Sequence, residues 1–121
     1  MLYSYLFGTL GVEKDFKTVL LLDIYSGLLT AKQRRLCDMY YNQDYSLSEI
    51  AEHEKTTRQA VRDGIEKAKQ KLESFERSLG LCEKKTRLAL ALAKARMISD
   101  DPRFNEAIDE IERIWETADG V

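Results

Sequence analysis

Ser46-Leu47-Ser48-Glu49-Ile50-Ala51, then after six intervening residues Arg58-Gln59-Ala60-Val61, reads as a helix-turn-helix. Ser46 with Glu49 three residues on is a capping box, and it opens a short helix that carries Ile50 and Ala51 inward. After a turn, a second helix carries Val61 and Ile65 inward. Ala51 and Val61 suit two helices that cross steeply, because the small residue lets the backbones approach and the larger one fills the wedge between them. This motif usually offers its second helix to the DNA major groove.

Downstream, Thr56 with Gln59 fits a capping box, but the register set by Ala51 and Val61 prefers Thr57 as the N-cap. Val61, Ile65, Ala68, Leu72, Phe75 and Leu79 then alternate steps of four and three, a heptad seam that predicts one long helix ending at Gly80. Its far half must pack on another helix, in this chain or in a second copy. Gly64 within it costs about 1 kcal/mol relative to Ala, which a close approach by a neighbouring backbone would explain. Leu81 to Ile98 is Ala- and Leu-rich, with Leu88, Ala91, Leu92, Ala95 and Ile98 on one face. Asp101-Pro102 reads as cap and first residue of a last helix, whose stripe is Phe104, Ala107, Ile108, Ile111 and Trp115.

Upstream, Val12 to Leu28 places Val12, Phe16, Val19, Leu20, Ile24 and Leu28 at near-helical spacing. Thr30 and Gln33 make another capping box, and Leu36, Met39 and Tyr40 form the inward stripe of the helix that follows. Asn42 to Tyr45 is a polar break. The expected architecture is all-α: an N-terminal extension over 1–11, a helix-turn-helix domain with a long recognition helix over 12–80, and a C-terminal helical segment over 81–121 that dimerises.

Six Gly and one Pro in 121 residues favour helices over a turn-rich β fold. Met1 to Leu10 is apolar but short, with no Lys or Arg before it, so it makes a poor signal peptide; Val19 to Leu22 is flanked by Lys17 and Asp23. Neither run approaches the roughly 20 apolar residues that span a bilayer, so the expectation is a soluble cytoplasmic protein with no membrane partner. Cys37 and Cys82 could form one disulfide, but two reduced thiols are the preferred reading. The net charge of −2 hides an asymmetry. Residues 31–98 hold 15 Lys and Arg against ten acids, a net +5, whereas 99–121 hold two Arg against eight acids, a net −6. A basic middle with an acidic tail fits a module that faces nucleic acid, and equally a set of solvated helix faces.

His53 is the only histidine, and no spacing of Cys or His suggests a metal site. There is no Gly-rich phosphate loop and no nucleophile elbow, so no catalytic residue, cofactor or metal is expected, and the chain is not read as an enzyme. The candidate nucleic-acid-binding residues are Lys55, Thr57, Arg58, Gln59, Arg62, Lys67 and Lys69. Arg can pair with guanine and Gln with adenine through two bonds each, while Lys55 and Thr57 fall where phosphates meet a turn and a helix N-terminus. Between Lys55 and Leu72 six bases face two acids. Two features pull the other way: the turn often has Gly where Lys55 falls and an apolar residue where Thr56 falls, and Glu52, Glu54 and Asp63 stand close to the proposed face. The candidate dimer interface is Phe104, Ile108, Ile111 and Trp115.

The run Tyr25-Ser26-Gly27-Leu28-Leu29-Thr30-Ala31-Lys32-Gln33-Arg34, with Tyr40-Tyr41, Asp44-Tyr45-Ser46-Leu47, Glu49-Ile50-Ala51-Glu52 and Arg58-Gln59-Ala60-Val61, resembles the YlxM family of helix-turn-helix proteins over roughly residues 13–80. The same segment is similar, more distantly, to region 4 of bacterial sigma factors. The resemblance implies an all-helical fold, DNA-binding ancestry, a homodimer, and a regulatory part in the signal recognition particle pathway, beside whose GTPase genes the family is usually encoded. It also implies an alternative to DNA binding: an adaptor that touches the particle's GTPase or its RNA. Residues 1–11 extend beyond the usual family start, as an unusual N-terminus or a mis-set start codon. Thr56 replaces a customary aliphatic residue, and the part after Gly80 matches poorly.

Overall fold

The structure is a computed structural model and describes residues 15–117; the extension 1–11 and the expected helix start at Val12 lie outside them. It is all-α, with six α-helices: α1 Phe16–Tyr25, α2 Ala31–Cys37, α3 Leu47–Glu54, α4 Arg58–Leu79, α5 Leu81–Arg96 and α6 Pro102–Thr117. A 3₁₀ turn, Ser26–Leu28, closes α1, and a wider π turn, Asp38–Asn42, extends α2.

Both capping boxes form. Gln33 N–H donates to Thr30 Oγ1 and Thr30 N–H to Gln33 Oε1, each at 3.1 Å, and Ser46 with Glu49 repeats the pair at the same distances. Thr57, not Thr56, caps α4, accepting a bond from Ala60 N–H at 3.1 Å.

The face of α1 departs from expectation. Its buried residues are Thr18, Leu21, Leu22, Ile24 and Tyr25, while Phe16 and Leu28 are exposed. Val19 to Leu22 is apolar all round, so its pattern does not fix which side turns inward. The tighter turn after Tyr25 then rotates Leu29 into the core in place of Leu28.

Two apolar clusters share α4 as a strut. The second, under the helix-turn-helix, gathers Leu36, Met39, Ile50, Ala51, Val61 and Ile65. The first gathers α1 residues with Leu29, Cys37, Ala68, Leu72 and Cys82. Half-buried Tyr41 packs on both. The heptad seam of α4 is therefore satisfied within the chain: Val61, Ile65, Ala68 and Leu72 are buried, Phe75 packs on Tyr25 with ring centroids 5.9 Å apart, and only Leu79 is exposed. It leaves no apolar seam for a second copy. A Cβ on Gly64 would come within 2.8 Å of Leu36 Cδ1, so the glycine makes room for a side chain on α2 and not for a backbone.

Gly80, with φ of 61°, ends α4, and α5 starts at once. The new helix lacks an N-cap side chain of its own, and its free N–H groups are met from elsewhere. Glu76 accepts from Cys82 N–H at 3.0 Å and from Glu83 N–H at 3.1 Å. Tyr25 donates to Glu76 at 2.6 Å and accepts from Leu81 N–H at 3.0 Å. Leu81 and Cys82 thus belong to the first cluster. Further along α5 only Leu92 is buried; Ala91 is exposed, and Ile98, beyond the last helical residue, is 80% exposed. The expected inward face ran one turn too far.

Asp101 caps α6, accepting from Arg103 N–H at 2.9 Å. α6 packs mainly on α5, where Ile108 is buried and Arg96 bonds Asp109 at 2.6 Å and Glu112 at 3.1 Å. Cys37 and Cys82 are buried free thiols, and burial pushes the Cys37 thiol up to about 11. Among the described residues no helix is long and apolar enough to cross a membrane.

Candidate nucleic-acid interface

The first helix of the motif is anchored twice. Ile50 and Ala51 are buried under it, and at its end Glu54 takes Arg35 of α2 in a two-pronged pair, with Nη2 at 2.7 Å and Nε at 3.1 Å. The guanidinium of Arg35 holds the Glu54 carboxyl below its ordinary value, with His53 at 3.0 Å adding to the effect. Arg35 and Glu54 lie 19 residues apart, and no local spacing marks them as partners. The pair fixes α3 on α2 and neutralises one of the acids that stand close to the cationic face.

Lys55 turns the chain in the left-handed region, with φ 55° and ψ 48°. Thr56 N–H reaches back to the Ala51 carbonyl at 3.0 Å, closing α3 in the manner usually left to glycine. Lys, Thr and Thr thus make the turn without Gly and without the customary apolar residue.

Beyond it, Arg58, Gln59, Ala60, Arg62 and Asp63 are exposed on the first two turns of α4, while Val61 and Ile65 brace them from behind. Among the described residues the side chains of Lys55, Arg58, Arg62 and Lys67 form no hydrogen bond or ion pair. Thr57 uses an oxygen lone pair on its own helix and keeps its hydroxyl proton for another acceptor. The N-terminal end of a 22-residue helix adds its own partial positive charge.

The remaining candidates are not equivalent. Gln59 donates to Asp63 at 2.9 Å, so its amide is engaged in the free chain and one more of the opposing acids is occupied. Lys67 is exposed but lies on the other flank of α4 from Arg58 and Arg62. Lys69 is turned away from the motif into an ion pair with Asp15, and that bond raises the ammonium pKa above its usual value. Burial opposes ionisation of Asp15, yet the bonds from Lys69 and Thr18 hold its carboxyl below its ordinary value. Lys69 therefore pins the start of α1 to α4. The geometry brings together Lys55, Thr57, Arg58, Gln59 and Arg62; it sets Lys67 apart and gives Lys69 a structural partner. Of the candidate dimer residues, Phe104 and Ile111 are exposed, Trp115 is half-buried and Ile108 is buried in its own chain.

Among the described residues no group of three or more His, Cys, Asp or Glu is placed to hold a metal ion. An open cleft of about 490 Å³ lies between α1 and α2 and is lined by Asp23, Arg34, Arg35 and Asp38, among others. Its charges are mixed, and Arg34 and Arg35 are both engaged within the chain.

Residues 12–112 match a family described as "Putative helix-turn-helix protein, YlxM / p13 like". The match runs well past Gly80 and takes in α5 and most of α6. Relatives include a UPF0122 protein of Oceanobacillus iheyensis, 38% identical over 100 residues that cover 83% of this chain and 95% of the relative. One from Listeria monocytogenes is 35% identical over 109 residues, 84% of this chain and 97% of the relative. One from Clostridium kluyveri is 51% identical over 74 residues, 61% of this chain and 67% of the relative. With its motif in place and a family match over nearly the whole chain, this protein belongs to the YlxM / p13-like helix-turn-helix family.

Proposed function

We propose that this chain is a non-enzymatic regulator that binds nucleic acid, DNA in preference to RNA, through the start of α4. The observation that carries the reading is the pair Arg58 and Arg62, exposed, one turn apart, on a helix end buttressed by Val61 and Ile65. In this reading the two Arg side chains reach base edges, with Gln59 released from Asp63 on binding, and Lys55 and Thr57 hold phosphates. Lys67 contributes long-range attraction, and Lys69 keeps its structural partner. Glu52 remains exposed nearby, so the affinity of one chain is modest and steeply salt-dependent. A homodimer, joined through the C-terminal helices at Phe104, Ile111 and Trp115, would supply two such faces.

The test uses a duplex selected from a random library by the wild-type chain. Replacing Arg58 and Arg62 together by Ala is expected to weaken binding about a hundredfold or more, from about 1–3 kcal/mol per specific pair. Helicity and mass in solution should stay unchanged. Undiminished binding by the double variant excludes this face.

The acidic outer side of α6, with Glu106 and Glu110 exposed, favours one second reading. In it the motif is a scaffold, and the chain is an adaptor of the signal recognition particle, touching its GTPase or its RNA. Crosslinking in cells separates the two. Recovery of promoter fragments supports the first reading, and recovery of the particle's RNA together with its GTPase supports the second.

A further inference from the structure

α6 has more apolar surface than α5 covers. Ile108 is buried against its own chain, but Phe104, Ala107 and Ile111, at steps of three and four, form a second strip beside it. Phe104 is 38% exposed and Ile111 43%. On α5 the opposite imbalance occurs. Between α1 and α5 runs a groove of about 300 Å³ with an apolar floor of Leu20, Ile24, Cys82, Ala89 and Leu90, edged by Asp23 of α1 and Lys85 of α5. Leu90 and the buried Leu92 are two residues apart and therefore point to opposite sides of α5, so the groove does not face the chain's own α6. Charge matches as well. α5 carries five Lys and Arg against one acid, although at the groove itself Lys85 faces Asp23 of α1 across the rim. α6 carries five acids against two Arg, and Glu110 edges the uncovered strip.

We propose that the groove between α1 and α5 receives the Phe104–Ala107–Ile111 strip of a second copy's α6, reciprocally across a two-fold axis. The inference rests on the homodimer reading above and adds to it the surface that receives α6. An apolar strip on a net-acidic helix meets an apolar groove along a net-basic one, and two-fold symmetry places the same contact twice, leaving neither feature open. The groove lies on the first core cluster through Ile24 and Cys82, so the second copy would brace the same core that supports α4.

Two full-length variants, Leu90→Cys and Ile111→Cys, one carrying a mass tag, are mixed and oxidised. Both positions are part-exposed, and the native thiols are buried, so the wild-type chain is the uncrosslinked control. A disulfide between the two different chains is expected, and none when Leu90→Cys is mixed with Ile98→Cys. In a second arm Ala89→Arg fills the groove and should raise the dimer dissociation constant at least tenfold with circular dichroism unchanged. A wild-type chain that is monomeric by light scattering at tens of micromolar overturns the dimer reading and this one with it. A dimer that lacks the 90–111 crosslink, or that tolerates Ala89→Arg, overturns this inference alone.

Discussion

Lys55 carries a conformational cost at the point where the motif turns. A non-glycine residue in the left-handed region costs about 1–2 kcal/mol, and φ of 55° places Lys55 there. Glycine would remove that cost and return part of it as entropy in the unfolded chain. Lys55→Gly is therefore expected to stabilise the fold by roughly 0.5–1 kcal/mol in urea unfolding. On the proposed function it also weakens duplex binding and lowers the magnitude of the salt slope by about 1, because one phosphate contact is lost. A gain in stability with unchanged binding would remove Lys55 from the interface; a loss of stability would contradict the strained turn. The sequence shows the absence of glycine here but not the side chain that fills the space at Gly64. That glycine answers to Leu36, 28 residues away, and only packing reveals it.

At the scale of elements, what could be read in advance was what is local. Capping boxes act within three residues, so Thr30 with Gln33 and Ser46 with Glu49 fixed two helix starts from spacing alone. The start of α5 has no such mark, because Tyr25, 56 residues from Leu81, supplies its cap together with Glu76. The inward face of α1 was hidden by an apolar run that has no polar side, and the end of α5 by an alanine-rich stretch that permits helix beyond the residues actually helical. The Tyr25–Glu76 cap has a measurable pH signature. Burial, then the bond to Glu76, push the Tyr25 phenol up to about 12 from a usual value near 10. The folded chain holds the proton more tightly than the unfolded one. The stabilisation is complete below about pH 10 and is lost as pH rises towards about 12. Tyr25→Phe, which strips the Leu81 N–H and Glu76 of a partner, should cost about 1–3 kcal/mol near neutrality. The gap between wild type and variant, measured by denaturant unfolding, should narrow above pH 10. A gap that stays constant there would mean that the phenol does not report on the fold.

For the whole molecule, α4 joins two cores: its first turns support the cationic face, and its middle, with Ala68 and Leu72, holds α1 and the start of α5. Gly80 ends a helix but not the packing around it, since Leu81 and Cys82 close the first cluster from the far side of the glycine. This makes the role of each C-terminal helix separable. A chain ending at residue 80 loses two apolar side chains from the cluster and the N–H groups that Tyr25 and Glu76 satisfy. At about 1.5–3 kcal/mol for a fully buried side chain, with Cys82 buried and Leu81 half-buried, the loss is on the order of 2–4 kcal/mol, a large part of a domain's usual stability. A chain ending at residue 99 keeps α5 and loses only α6, which packs mainly on α5. The longer truncation is expected to melt cooperatively, with native helicity per residue, and, on the proposed homodimer, to be monomeric at concentrations where the full chain pairs. The shorter one should melt far earlier or not fold cooperatively at all. If both melt like the full chain, α5 is an appendage and the first core closes without it. If the longer one still dimerises, the contact between copies lies outside α6.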